Sequence, residues 1–345
     1  GDHRWILGAS TIGSFSQFDL YRLDLSRRVN LAYHAFQFRD FFFFPVGITA
    51  GGVILVDRIT ESIAGGEAIF QYPFSSRYRL EAGVGFTDRS IPTVVARDDG
   101  FGQLVRAFDT IDFSSVDASL FFVGDTSRWQ PYGPFHGWRY RVGGSYSGEV
   151  GGDGGVLARY QVDFRKYWKI SRRSSFAYRL FGLSSNTRDT ELNETFSIGG
   201  LNTIRGYDFR SIVGDRVFFQ NFELRFPLVD RLQLPFGAFT DIRGVIFADV
   251  GGGYFAGGAH VDPITQVASF RDPSTGKFVD SFGNPASKFD CFDSVENDFK
   301  DCLATVGVGF NFRLGFLELN WVFAQRIDAN DDGRWHSFFY IGNKF

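Results

Sequence analysis

Thr305-Val306-Gly307-Val308-Gly309-Phe310-Asn311-Phe312-Arg313 is two sequences interleaved. Even positions carry Val, Val, Phe and Phe, while odd positions carry Thr, Gly, Gly, Asn and Arg. Successive side chains leave a strand on opposite sides, so a period of two over this length marks a strand with one apolar and one polar face. The pattern recurs. Tyr78, Leu80, Ala82, Val84 and Phe86 alternate with Arg77, Arg79, Glu81, Gly83, Gly85 and Thr87. Ala158, Tyr160, Val162 and Phe164 alternate with Arg159, Gln161, Asp163 and Arg165. Phe222, Leu224 and Phe226 alternate with Asn221, Glu223 and Arg225; Leu317, Leu319, Trp321 and Phe323 alternate with Glu318 and Asn320.

The two faces differ in kind. A soluble sandwich turns its polar face to bulk water, often with Lys and Thr. Here that face holds Arg, Glu, Asp, Asn and Gly, and the apolar face holds Phe, Tyr, Trp and Val. Lipid outside and a hydrated, ion-paired lumen inside account for this better than a soluble barrel does. Composition agrees: aromatics are 18% of residues and charged residues 22%, yet mean hydropathy is only −0.10. Such a chain must separate its two residue classes finely along the sequence. No stretch reaches the roughly 18 apolar residues of a membrane helix. The net charge of −3 gives no basic field for nucleic acid.

The expected fold is therefore an all-β, antiparallel transmembrane barrel over 1–345. About fourteen strands are expected, near 3–13, 17–28, 30–44, 58–74, 77–90, 113–126, 137–148, 156–170, 174–185, 215–227, 241–251, 304–314, 316–327 and 334–345. Short turns fall mainly at one end, with longer exceptions at 127–136 and 228–240. Long loops fall at the other end, near 45–57, 91–112, 186–214 and 252–303, and a periplasmic C-terminus puts them all outside the cell.

Residues 196–207 read Phe-Ser-Ile-Gly-Gly-Leu-Asn-Thr-Ile-Arg-Gly-Tyr, followed later by Phe247-Ala248-Asp249-Val250-Gly251. An Arg205-Gly206-Tyr207 tip with an acidic strand motif beyond it suggests a charge pair that pins a loop inside something hollow. A buried guanidinium is tolerated only when paired. Parity puts Glu223 on the same face as a second candidate partner.

These motifs, in this order, resemble the outer-membrane assembly superfamily: BamA-like and TamA-like barrels (the bacterial surface antigens) and two-partner secretion transporters. The resemblance covers essentially the whole chain. It rests on Gly199-Gly200, Ile204-Arg205-Gly206-Tyr207, Gly214, Asn221, Glu223, Arg225 and Pro227, then Phe247, Asp249 and Gly251, then Ile341-Gly342-Asn343-Lys344-Phe345. It implies a long loop, 187–214, folded into the lumen with Arg205 against Asp249; the alternative is an ordinary exposed loop. Gly206 lets the tip pass close to the wall. The last strand, with Phe339, Ile341, Gly342 and terminal Phe345, resembles an outer-membrane recognition signal that pairs loosely with the first strand; the alternative is an aromatic edge strand. The family barrel has sixteen strands behind periplasmic modules, so two strands and the upstream domain are expected to be missing here; the alternative is fourteen strands that close on themselves.

The function implied is insertion or translocation of proteins at the bacterial outer membrane, working at the terminal seam. Partners would be the lipid bilayer and unfolded outer-membrane protein clients, periplasmic accessory proteins or other outer-membrane subunits. The competing reading is a structural barrel that anchors a periplasmic or surface domain or docks in a larger complex; a passive pore is a third. No cofactor, metal or bond chemistry is implied.

Cys291 and Cys302 lie in an acidic polar stretch where nothing would bury free thiols, which favours a loop disulfide over two unrelated thiols. Asp290, Asp293, Glu296, Asp298 and Asp301 surround them, and a solvated acidic loop is the simpler reading than a cation site. Asp328-Ala329-Asn330-Asp331-Asp332-Gly333 looks like the start of a calcium loop but has Phe339 where the closing Glu belongs, and Asp-Gly in a hairpin explains it better. There is no Gly-x-Ser-x-Gly elbow and no His-Glu-x-x-His pair. Of the five histidines, only His260, beside Asp262, is placed in a way that even suggests barrel-enzyme chemistry.

Overall fold

The period-two segments become long antiparallel strands. The computed structural model describes residues 3–12, 15–48, 54–98, 104–130, 133–151, 155–188, 195–234, 237–263, 267–293, 298–314, 317–327 and 333–341. Among these, fourteen strands hydrogen-bond in chain order in an antiparallel sheet. They are β1 (His3–Ile12), β2 (Phe15–Asp24), β3 (Asn30–Ile48), β4 (Ile54–Pro73), β5 (Tyr78–Asp98), β6 (Leu104–Asp125) and β7 (Gly133–Val150). The second seven are β8 (Val156–Lys169), β9 (Ser175–Arg188), β10 (Arg216–Leu234), β11 (Gly237–Tyr254), β12 (Leu303–Leu314), β13 (Leu317–Arg326) and β14 (Trp335–Ile341).

Several expected loops turn out to be strand. β3 and β4 stay paired out to Ile48↔Ile54, with a register shift between Pro45 and Gly47. Residues 91–98 and 104–112 likewise belong to β5 and β6. β10 and β11 pair out to Leu234↔Gly237, with a shift between Pro227 and Val229. Within 127–136, Arg128–Gln130 pairs with the start of β7. At Pro45 and Pro227 the reason is the same. Runs such as Phe41-Phe42-Phe43-Phe44-Pro45 hide the alternation, but ladder hydrogen bonds come from the backbone, and a bulge absorbs the proline.

The chain divides into two compact units, 1–122 with 144–158 and 187–192, and 123–143 with 159–186 and 193–345. In the first, β1 to β5 form successive hairpins. Trp5, Leu7, Phe18, Tyr33, Phe70 and Phe86 are exposed on one face. The opposite face carries buried His34, bonded to Asp19 and Glu67 at 2.9 Å each and stacked on Tyr21.

In the second unit, exposed Leu224, Ile246, Val306, Val308, Phe310 and Trp321 occupy one face of β10 to β13. The other face is where the buried residues gather: Asn221, Glu223, Phe247, Asp249, Leu303, Thr305, Asn320, Val322 and Ala324. Large apolar side chains on the exposed face of each unit would cost about 25 cal/mol per Å² in water, so these faces suit an apolar surrounding. Residues 195–214 and 255–302 connect strands of this unit. In the first, Phe196–Ile198 pairs with Ile212–Gly214. In the second, His260–Val261, Ala268–Arg271 and Phe278–Asp280 make a three-stranded sheet, and Phe292–Asp293 pairs with Asp298–Phe299.

Candidate functional site

The 196–198/212–214 ladder closes the base of the loop, and what it carries is sunk against the polar face. Ile204, Arg205, Gly206 and Tyr207 are all buried, Arg205 at 2% exposure and Tyr207 at 1%. Ile204 and Tyr207 join Ile198, Ile212, Val217, Phe219 and Leu303 in one apolar cluster. The turn before them is held locally, since Gly199 N–H donates to Thr203 Oγ1 (2.8 Å) and Thr203 N–H to the Gly200 carbonyl (3.2 Å).

Arg205 is the centre of the arrangement. Its Nε donates to Asp249 Oδ2 (2.6 Å), Nη2 to Asp249 Oδ1 (2.5 Å) and Nη1 to Glu223 Oε1 (2.8 Å). Its own backbone N–H also donates to Asp249 Oδ2 (3.1 Å). Asp249 is fully buried, and Asn221 Nδ2 serves its Oδ1 (2.8 Å) while also reaching the Thr203 carbonyl (2.6 Å). Glu223 is shared, because Arg225 donates twice to its Oε2 (2.9 and 2.6 Å). The guanidinium lies 3.6 Å from the centre of the Phe247 ring. Burial alone disfavours the charge; Asp249 and Glu223 outweigh it and raise the guanidinium above its ordinary range. Fork-to-carboxylate pairing of this kind is the strong, directional form of ion pair.

Two glycines make room for it. Gly206 has φ +94°, and a Cβ there would meet Thr305 and Ala324 at 3.2 and 3.3 Å. At Gly251 a Cβ would fall 2.3 Å from the Phe218 carbonyl oxygen and 2.8 Å from Ile204 Cδ1. The tip is tied from the far side too. Arg326 Nε donates to the Gly206 carbonyl (2.9 Å), and its guanidinium lies 4.6 Å from the Tyr207 ring centre.

Other sequence candidates lie elsewhere. Cys291 and Cys302 form a disulfide. His260 Nε2 sits 3.3 Å from Asp301, not Asp262, because the return leg of the loop brings Asp301 back against it. Among the described residues no cluster of three or more His, Cys, Asp or Glu is arranged to hold a metal. Phe339 is exposed on β14, opposite Trp321, and Ile341 pairs with Leu319. Gly342, Phe345 and 328–332 lie outside the described residues. Asn221 and Arg225 belong to the sequence motif without an assigned role, and nothing in the sequence assigns one to Thr203 or Arg326. Parity with Glu223 marks Asn221 and Arg225, but no local signal points to Arg326.

A family model, the Omp85 superfamily domain, matches residues 12–345. The chain belongs to the Omp85 superfamily. No curated protein sequence matches it. Among solved structures, it is similar to BamA from Haemophilus ducreyi lacking POTRA domains 1-3, at 13% identity and TM-score 0.67, covering 97% of this chain and 63% of that one. It is also similar to CdiB from Acinetobacter baumannii (10% identity, TM-score 0.52, covering 95% and 50%) and CdiB from Escherichia coli (13%, 0.53, covering 96% and 53%). The chain thus spans about half to three-fifths of the length of these structures. This Omp85 chain is an integral outer-membrane β-barrel, and within each unit the exposed apolar and aromatic face has the character of a lipid-facing strand surface.

Proposed function

We propose that this barrel inserts or translocates proteins at the bacterial outer membrane, with residues 187–214 acting as a plug held in the lumen. The observation that carries the reading is the buried Arg205 guanidinium shared between Asp249 and Glu223. Removing either side leaves an unpaired buried charge, so the loop stays docked by default and undocks only when another interaction replaces the pair. In this reading Phe339, Ile341, Gly342 and Phe345 form the recognition strand, which supplies one side of the lateral seam, and 252–303 is the extracellular loop. Outer-membrane protein clients are the substrates, and the lipid bilayer, periplasmic accessory proteins and other outer-membrane subunits are the partners. No step requires bond chemistry.

The test is conditional depletion of the full-length protein with quantitative profiling of the outer-membrane and secreted proteomes. Loss of specific barrels or exported proteins, rescued by the wild-type gene, is the expected result. A profile unchanged apart from this protein itself would refute the reading and leave a structural anchor.

A further inference from the structure

We propose that a groove on the exposed apolar face of the second unit retains a single acyl chain of a bilayer lipid. The groove has a volume of about 430 Å³ over β9 to β12, with Trp335 of β14 at its margin. Phe222, Leu224, Ile246, Ala248, Val306 and Val308 line it, and among the described residues that form it none is polar or charged. It is continuous with the face that this outer-membrane chain presents to lipid. The proposal rests on that location and not on the insertion or translocation of proteins.

Strand register explains the hollow. One rung carries Tyr178, Phe222, Ala248, Val306, Gln325 and Trp335 in order from β9 to β14. The next carries Phe176, Leu224, Ile246 and Val308. Ala248 is the smallest side chain in either rung, so the wall dips between Phe222 and Trp335. Phe247 and Gly307 belong to the buried, inward-facing set and form the floor. The first rung also indicates what enters. Tyr178 Oη donates to Gln220 Oε1 (3.0 Å), and Gln325 Nε2 donates to the Gly333 carbonyl (3.1 Å). Paired polar groups beside Tyr and Trp on a lipid-facing wall mark the level where headgroups give way to hydrocarbon. Polar groups at one end and hydrocarbon below match the two halves of a membrane lipid. A client strand finds no edge here, because β10, β11 and β12 are each hydrogen-bonded on both sides. A second copy needs roughly 800 Å² on each partner, a broad face rather than a groove sized for a small ligand. Chain and groove are both apolar, so the hydrophobic effect does not favour the groove over bulk lipid. Contact does: a chain on a flat wall touches protein on one side, whereas one in the groove touches it on several.

The test places the full-length protein in vesicles of phosphatidylethanolamine with phosphatidylglycerol as the minor component. The vesicles are doped with a phosphatidylethanolamine that carries a diazirine midway along one acyl chain. After illumination, labelled peptides are mapped by mass spectrometry. Labelling of 222–224, 246–248 and 306–308 is expected several-fold above that of Phe310, Trp321 and Phe339, which are exposed on the same face outside the groove. Ala248→Phe fills the dip and should lower the groove labelling several-fold while leaving those three positions unchanged. If that variant fails to show heat-modifiable migration, Val306→Phe, at an already exposed position, should do the same. Equal labelling inside and outside the groove, or groove labelling unchanged in a folded variant, overturns the proposal in favour of freely exchanging lipid. Protein adducts formed through Val306→Cys carrying a photoreactive group, in place of lipid labelling, would show a protein occupant and overturn it as well.

Discussion

Replacing Arg205 by Ala tests the latch directly. The substitution removes three charge-assisted bonds, two to Asp249 and one to Glu223, and strips the Phe247 ring of its cation. Breaking a buried pair from one side costs roughly 3–5 kcal/mol. The lower end applies here, because Asp249 keeps Asn221 and Glu223 keeps Arg225. About 3 kcal/mol is a shift on the order of 100-fold in the docked-to-undocked ratio of the loop. Limited trypsinolysis reads that ratio through cleavage after Arg210, which follows the open population when opening is fast relative to cleavage. The expected result is cleavage about 100-fold faster, higher planar-bilayer conductance and unchanged heat-modifiable migration of the strands. Arg205→Lys keeps the charge but cannot serve both carboxylates, so it should fall between. Cleavage and conductance within about twofold of wild type would falsify the argument that the pair holds the loop.

Other consequences are independent. Gly251→Ala places a methyl against Ile204 Cδ1 and the Phe218 carbonyl, an overpacking cost of about 1–3 kcal/mol; it should speed the same tryptic cleavage, while Gly182→Ala, whose nearest neighbour is 3.9 Å away, should not. Converting Cys291 and Cys302 to Ser should loosen 255–302 by about 2–4 kcal/mol, seen as faster amide exchange there, with the Arg205 loop unaffected. The His260 imidazole is disfavoured as a cation by burial but raised overall by Asp301, with further support from Gly258 and Asp262. Its folded pKa lies above its unfolded one, so its contribution to loop stability is full below about pH 6.5 and is lost as pH rises through the folded value. Amide exchange of the loop should accelerate across that window, and Asp301→Asn should abolish the pH dependence.

Legibility differed from place to place, for physical reasons. β10 and β12 are plain in the sequence because one face meets lipid and the other does not, so every second residue reports its side. Residues 41–48 and 228–234 are not, since successive apolar residues and a proline erase the period while the backbone ladder continues through a bulge. Within the site, parity along β10 places Asn221, Glu223 and Arg225 together, and the loop motif singles out Arg205. The second anchor of the tip, Arg326, stands 120 residues from the Gly206 carbonyl it binds. The pairing of His260 with Asp301 rather than Asp262 depends on how the long connection folds back, which no periodicity encodes.

The carboxylates that hold Arg205 also make loop docking depend on strand register. Asp249 lies opposite Asn221 on one side and Thr305 on the other, and the Arg205 fork closes only when these neighbours are correctly aligned. A slip of β11 by one residue would send Asp249 outward into hydrocarbon and leave Phe247 and Gly251 on the wrong side. The misaligned state thus carries a bare carboxylate in lipid and an Arg205 guanidinium left with Glu223 alone, an electrostatic penalty that backbone ladders, indifferent to side-chain identity, do not impose. Seating of the loop therefore depends on the alignment of β10 and β11, since Glu223 and Asp249 must both reach Arg205.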